Sequence, residues 1–444
     1  MRRATFRGGI HLPGYKELTS NSATVVLPVP DKLYIPLSQH IGAPCAPFVN
    51  VGERVKKGQK IGVGKGFVSA PVHSSVSGTV TDILIMEHPS GSFVPCIVVE
   101  NDRQEEWAES VKSATDTEIL SPEELRSIIL NAGIVGMGGA TFPTHVKYSP
   151  VEGRQVDTVI LNGVECEPYL TSDHRLMLEK PEQIIAGLGY IMKAVNCRKG
   201  LIGIEDNKPD AVEKMQNAAK ANPGISVVVL KEKYPQGSEK QLIYACTGRH
   251  VPVGGLPIAV GVIVNNVATA VAITDAVEHG IPLIERYVTV SGDGIVTPAN
   301  YLVRIGTLFN DLILQSGGFT GETEKIIAGG PMMGKTVFTS HIPVVKGTSG
   351  ILVMQKKTGK ISAEYPCVRC AKCVDACPAF LEPTSLAKLA RRRLWKETED
   401  GDVMSCIECG SCAFICPSQI PLLQHIRRAK QAVLAARTLT SAAQ

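Results

Sequence analysis

The chain has 444 residues, enough for two to four domains. Its net charge of +4 is too mild for a nucleic-acid partner, so none is expected. Hydrophobic residues make up 44% and there are 42 glycines, which suits α/β and β architecture with many turns. The opening residues, MRRATFRGGIHLPG, lack the apolar core of a secretory leader. The longest apolar stretch, Leu256 to Val277, contains Asn265, Asn266 and Asp275. Polar groups in mid-span are costly, so it reads as a buried strand followed by a helix. A soluble or peripheral protein is expected.

Residues 1–38 carry turn residues and little period, and read as an irregular N-terminal extension. Over residues 39–100 the pattern changes to short β segments. VNVGERVKKGQKIG followed by APVHSSVSGTVTDI resembles the barrel-sandwich fold of biotinyl and lipoyl domains. Gly52, Gly58 and Gly78 would stand at its turns. Lys65 lies in a Gly-Lys-Gly turn near where a swinging lysine would be. The flanking residues of a lipoyl site are missing, so it reads as a solvated lysine. Residues 101–120 are acidic and polar and read as a linker.

A domain over residues 121–281 opens with SPEELRSIILNAG. Ser121 and Glu124 form a capping box, Pro122 fits the first helical position, and Gly133 ends the helix in the left-handed region. GIVGMGGATFPTHVK follows. Gly136, Gly138 and Gly139 remove side chains so that a flat ring or a phosphate can approach the backbone, and Lys147 supplies a point charge. The loop does not follow a strand, so it is not the ordinary dinucleotide fingerprint. Strand and helix then alternate to about residue 280, which implies a parallel sheet covered on both faces. Ligands in such sheets sit at the carboxyl ends of strands. Three polar groups fall there: Asn162 with Glu165 and Glu167; Gly237, Ser238 and Glu239; and Asn265, Asn266 and Thr269.

Residues 282–345 return to β pattern with one helix-like segment, LFNDLILQSG, and suit a small β-grasp unit. Residues 360–430 hold the strongest motif. CVRCAKCVDACP and CIECGSCAFICP each have the spacing C-x2-C-x2-C-x3-C-P. In that pattern the fourth cysteine of one run ligates the other run's cluster. Cys367, Cys370, Cys373 and Cys416 would hold one 4Fe-4S cluster; Cys406, Cys409, Cys412 and Cys377 would hold a second. Zinc sites do not repeat such a run, and disulfides suit small secreted domains. Cys45, Cys96, Cys166, Cys197 and Cys246 have no motif spacing and read as buried free thiols. Arg391, Arg392, Arg393, Arg427 and Arg428 read as a solvated basic face, or as a docking surface for an acidic partner or anionic headgroups. Residues 431–444 would be a tail.

GxxGxGGAxFPTxxK, NGxExEP and NNVxT together resemble the NADH-oxidising, FMN-bearing subunit of respiratory complex I. The order of elements is a barrel-sandwich, that flavin domain, a β-grasp (SLBB) domain and a helical dicluster 4Fe-4S ferredoxin domain. This multidomain α/β arrangement resembles the C-subunit of the Rnf complex, the ion-translocating ferredoxin:NAD oxidoreductase, over nearly the whole chain. The resemblance implies that Gly136, Gly138, Gly139 and Lys147 line FMN and its phosphate. It places Asn162, Asn265, Asn266 and Thr269 around the flavin ring, with Gly237 and Ser238 nearby and Glu165 and Glu167 on the nicotinamide side. Thr141, Val164 and Ser238 depart from complex I, which has glycine, aspartate and glutamate there. The implied activity is hydride transfer from NADH to FMN, then release of single electrons through two clusters to other Rnf subunits, with no side chain as nucleophile. The implied location is the cytoplasmic side of the inner membrane, as a peripheral subunit. A cobalamin reductase shares these modules but tends to begin at the glycine loop; a flavin-free wiring subunit is the other alternative.

Overall fold

Leu33 and Ile35 alternate with the less buried Lys32 and Tyr34, the period that buries one face of a sheet, and they pair with a strand buried continuously from Cys96 to Val99. In the computed structural model, which describes residues 3–113, 116–359 and 363–442, these strands belong to an antiparallel sheet. Its order is Lys32–Pro36, Phe93–Asn101, Gly78–Glu87, Arg54–Val55. A three-stranded sheet of Cys45–Pro47, Lys60–Gly64 and Val72–His73 faces it across Leu33, Val55, Ile61, Val72, Val80 and Ile97. This is the expected barrel-sandwich. Gly78 sits where a Cβ would come within 1.9 Å of the Glu100 carbonyl oxygen, so no larger residue fits there. Lys65 is exposed after the strand Lys60–Gly64.

The sandwich begins at Lys32, inside the expected extension, because that strand's partner lies some sixty positions on in sequence and its local pattern is broken by Pro28, Pro30 and Pro36. Residues before it are irregular but committed. Ala4 bridges Leu230, Ile10 bridges Tyr234, and Val25–Val26 pairs in parallel with Tyr301 and Leu302. The N-terminal segment thus laces two later units together.

The helix Pro122–Asn131 starts with the capping box of Ser121 and Glu124 and stops before Gly133, whose φ is 66°. It packs against the helices Pro181–Ala194 and Val267–His279, beside a four-stranded parallel sheet ordered Ile225–Leu230, Gly200–Glu205, Thr158–Asn162, Val262–Asn266. The first three strands in sequence run outward in one direction and the fourth returns to the other side of the first. The strand order therefore reverses between Thr158–Asn162 and Val262–Asn266, the topological switch point where a crevice opens.

The β-grasp part is a six-stranded sheet ordered Val25–Val26, Ala299–Arg304, Glu285–Ser291, Gly350–Gln355, Thr323–Ala328, Lys335–Val337, with the helix Phe309–Gln315 against it. The expected end at residue 345 falls short of Gly350–Gln355. GILVM is apolar because its first four residues are buried between two neighbours, and the strand joins the sheet's two halves. The cysteine-rich part packs the helices Pro383–Arg391 and Leu422–Ala442 around Leu386, Ala390, Ile426 and Ala429. No boundary falls at residue 430: the helix continues past it, since RRAKQAVLAARTLTSA holds no Gly or Pro to stop it. Parts of the expected extension (1 and 2), linker (114 and 115), ferredoxin segment (360–362) and tail (443 and 444) lie outside the described residues.

Candidate functional site

At the switch point, in-register pairing sets Asn266 beside Asn162. Asn162 donates from Nδ2 to the Gly237 carbonyl at 2.8 Å, drawing the second polar group in beside the other two. Asn266 caps the helix Val267–His279, accepting from Ala268 N–H at 2.8 Å. The glycine-rich loop closes over these residues. Met137 N–H donates to Thr269 Oγ1 at 3.1 Å, and a Cβ on Gly138 would stand 3.2 Å from Asn266 Cβ. Gly139, at φ 141°, has open space where a side chain would be. Lys147, on the short helix Thr144–Tyr148, reaches under the loop and donates to the Val264 carbonyl at 3.1 Å; burial lowers its pKa and Glu239 partly restores it.

Asn265 is 3% exposed, and neither of its side-chain amide atoms has a hydrogen-bond partner in the protein; the nearby Tyr148 hydroxyl interacts with it only loosely and is itself unsatisfied. A buried amide left so costs about 1–3 kcal/mol unless something else meets it. This orphaned amide and the cradle at Gly138 and Gly139 fit a flat, hydrogen-bonding ring such as that of FMN, with Lys147 suited to a phosphate.

The structure does not bring every expected residue into this crevice. Glu165 has φ 48° and turns its carboxylate to the N-terminus of the helix Ser172–Glu179, accepting from Asp173 N–H at 2.8 Å and His174 N–H at 3.2 Å. Glu167 accepts from Met332 N–H at 3.0 Å and Met333 N–H at 2.9 Å, in the β-grasp loop; burial raises its pKa against those two donors. Both carboxylates are occupied by backbone. Ser238 precedes the helix Glu239–Thr247 without a side-chain capping bond. Val164 is fully buried and its carbonyl accepts from Lys208 Nζ at 2.7 Å. Thr141 holds φ 49°, the conformation glycine takes freely, and its methyl fills the space left by Gly347, where a Cβ would approach to 2.3 Å.

Sequence reasoning missed several residues that shape the crevice. Lys16 donates to the carbonyls of Glu165, Glu167 and Leu170 at 2.8, 3.1 and 2.6 Å, clamping the NGVECEPYL loop. Arg286, 2% exposed, holds the glycine loop through the Met137 carbonyl at 3.2 Å. Asp173 accepts from Asn266 Nδ2 at 2.6 Å; burial, then the Glu165 charge, pushes its carboxyl well above the usual range. Arg286 carried a signal: it shares the inward alternation of Val288 and Val290. Lys16 and Asp173 carried none.

The fold gathers three cysteines of the second run with one of the first. Cys377, from the first run, lines one cavity with Cys406, Cys409 and Cys412 of the second. Burial pushes Cys406 up to about 11 and Cys412 up to about 12, so a bound metal is needed to keep them as thiolates. Cys373 and Cys416 pack together beside Ala387 and Leu422, and Cys367 lies 3.8 Å from Thr384 Oγ1. Cys367 and Cys370 are exposed. Both runs thus contribute soft donors to the one cavity. The link to the crevice side is direct: Tyr234, ahead of Gly237, donates from its hydroxyl to the Cys409 carbonyl at 2.7 Å.

Residues 4–104 match the RnfC barrel sandwich hybrid domain, 129–275 the Nuo51 FMN-binding domain, 287–336 the SLBB domain and 366–421 a 4Fe-4S dicluster domain. The chain is 49% identical over 396 residues to the C-subunit of the proton-translocating ferredoxin:NAD(+) oxidoreductase complex of Clostridium ljungdahlii, covering 89% of this chain and 86% of that one. It is 47% identical over 437 residues to the Na(+)-translocating counterpart of Acetobacterium woodii, covering 98% and 99%. Among solved structures it is similar to an NAD+-reducing [NiFe]-hydrogenase, with TM-score 0.49 and 18% identity over 73% of this chain and 67% of that one. No helix among the described residues is long and apolar enough to cross a membrane. With relatives this similar along almost its full length, the chain belongs to the C-subunit family of Rnf-type, ion-translocating ferredoxin:NAD(+) oxidoreductase complexes.

Proposed function

We propose that the chain is the NADH-facing electron-transfer subunit of such a complex, binding FMN at the switch point and two 4Fe-4S clusters in the cysteine-rich part. The observation that carries this is the unsatisfied Asn265 amide in a glycine-lined crevice, joined through Tyr234 to a cavity ringed by four cysteines. Bound FMN supplies exchange between a two-electron donor and one-electron carriers. Gly136, Gly138 and Gly139 give the ring access to backbone, Lys147 balances the phosphate, and Asn162, Asn265, Asn266 and Thr269 fix the ring's edge. Asp173 and Arg286 hold Asn266 and the glycine loop in place. Gly237 and Ser238 border the crevice, with the Ser238 hydroxyl uncommitted to a cap.

Glu165 and Glu167 shape the loop below the nicotinamide side through the backbone bonds described above. The first cluster is assigned to Cys367, Cys370, Cys373 and Cys416, and the second to Cys377, Cys406, Cys409 and Cys412. The protein sits peripherally on the cytoplasmic face of the membrane and passes electrons to other subunits of the complex. An anaerobic visible spectrum before and after NADH tests the reading. Bleaching of both flavin and cluster absorbance is expected; brown protein that NADH does not bleach, or that holds no FMN, overturns it.

A further inference from the structure

Three units meet behind the glycine-rich loop, and one side chain ties them. Lys346 belongs to the β-grasp part, just ahead of the strand Gly350–Gln355, and is 1% exposed. Its Nζ donates at 2.7 Å to the Pro71 carbonyl of the sandwich and at 2.7 Å to the Gly133 carbonyl, where the loop leaves its helix. Its backbone N–H donates to Gln39 Oε1 at 3.0 Å. Among the described residues no carboxylate pairs with it. The junction is tight: a Cβ on Gly133 would come within 2.3 Å of the Pro71 oxygen and 2.8 Å of Lys346 Nζ. The same turn holds the loop at two further points. Thr348 Oγ1 accepts from Val345 N–H at 3.0 Å, closing the turn, and the Thr348 carbonyl accepts from Arg286 Nε at 3.0 Å. Arg286 in turn donates to the Met137 carbonyl, and Gly347 packs on the Thr141 methyl. The turn thus grips the loop at its start, middle and end.

A lysine buried without a counter-charge is costly, and such groups gather where they serve a function. We propose that Lys346 is a positioning residue: from the β-grasp part it fixes the backbone of residues 133–141 in the shape that receives the flavin ring. This rests on the FMN reading under the proposed function and makes ring binding depend on a turn outside the flavin domain. Burial lowers the Lys346 pKa to about 7, with Cys45 pulling the other way. Bonds from the ammonium are about twice as strong as those from the neutral amine. The grip is therefore full below pH 7 and weakens as pH rises through it. His40, His73 and His145 stand nearby, and burial lowers each of them, so they stay neutral at pH 7. Burial keeps Cys45 a thiol, Lys60 is bonded to Asn131 Oδ1, and Arg286, lowered by burial to about 10, stays charged. Asp173, raised to about 7 on the crevice side, is the one neighbour that titrates in the same range.

The test uses the full chain with its clusters, kept anaerobic, first without FMN and then with it. Hydrogen exchange, corrected for the intrinsic rate at each pH, follows the Gly136 and Met137 amides, which donate to the Phe142 carbonyl and to Thr269 Oγ1. K346M should lose on the order of tenfold in their protection at pH 6, while the strand Thr158–Asn162 keeps its own. FMN release, followed as returning flavin fluorescence, should be about tenfold faster from K346M at pH 6, and the gap from wild type should close toward pH 8.5. D173N removes the other titrating group, so its loop protection should still fall between pH 6 and 8.5; it decides the matter if K346M does not fold. Loop protection equal in K346M and wild type overturns the proposal. So does protection in D173N that is flat with pH, and so does bound FMN released equally from K346M and wild type. Protection that behaves as expected in a wild-type chain that takes up no FMN supports the brace and overturns the flavin reading alone.

Discussion

The two cysteine runs share one local geometry and two different surroundings. Arg369 and Glu408 occupy equivalent positions and both have positive φ, 56° and 57°. Ala371 and Gly410 match in the same way, at 58° and 79°, each preceding a one-turn helix, Lys372–Asp375 and Ser411–Phe414. Yet Arg369 stands exposed, while Glu408 is half-buried between Arg427 and Lys430, with Lys430 Nζ 2.8 Å away. Burial alone would raise the Glu408 pKa, but those cations hold its carboxyl below the usual range. Spacing sets the loop that wraps a cluster; the neighbours set how wet, how charged and how rigid that loop is.

The comparison breaks hardest at the ligands. Cys409→Ser removes a buried donor from a closed cavity and should empty the second-run site, taking roughly half the iron, since a cluster lacking one thiolate loses its fixed corner. Cys370→Ser, at an exposed corner, should lose less iron and lower the unfolding midpoint less. Iron assay and thermal melts of anaerobic protein check both. Equal losses would mean that burial makes no difference between the sites.

Charge comes next. Glu408→Arg gives the second run the first run's residue and sets three cations together in a half-buried spot. Destabilisation of about 1–3 kcal/mol is expected from removing the partner of half-buried charges partly screened by water, together with a higher potential for the second-run cluster. Denaturant unfolding and a redox titration read the two effects. Arg369→Glu, on the open side, should alter stability by less than about 1 kcal/mol.

Tyr234→Phe follows. It leaves the buried Cys409 carbonyl without the 2.7 Å hydroxyl donor, costing about 1–3 kcal/mol. The second-run cluster's spectrum or potential should shift and the first-run cluster's should not. A shift in both would show that the hydroxyl acts on the whole segment.

Much of this was legible in the sequence, and for identifiable reasons. The runs were readable because cluster wrapping needs thiolates at fixed short spacing, so the pairing of Cys377 with Cys406, Cys409 and Cys412 follows from local pattern. The parallel sheet was readable because strand and helix periods alternate cleanly from Thr158 to His279. What stayed hidden depends on pairing across long separations: the strand Lys32–Pro36, the central strand Gly350–Gln355, and the Lys16 clamp on Glu165, Glu167 and Leu170. Glu165 and Glu167 show the same limit. A carboxylate in a motif reads as a ligand group, and only the fold reveals that backbone N–H groups of Asp173, Met332 and Met333 have taken it.

The smallest effect is a gain. Ala371 holds φ 58°, a left-handed conformation that costs a residue with a Cβ about 1–2 kcal/mol. Ala371→Gly removes that strain but frees the unfolded chain, which offsets about 0.5–1 kcal/mol. A net stabilisation of roughly 0.5 kcal/mol is therefore expected, measured by denaturant unfolding of cluster-loaded protein. The reverse change in the other run, Gly410→Ala, should destabilise by about 0.5–1 kcal/mol, because the same strain enters there, less the same unfolded-state offset. The added methyl would sit 3.4 Å from the Met332 carbonyl oxygen, an ordinary contact, so backbone strain and not crowding sets the cost. If Ala371→Gly also destabilised, the outer loop would be held in its left-handed turn by the cluster itself, and the symmetry between the runs would be one of shape without a shared energetic origin.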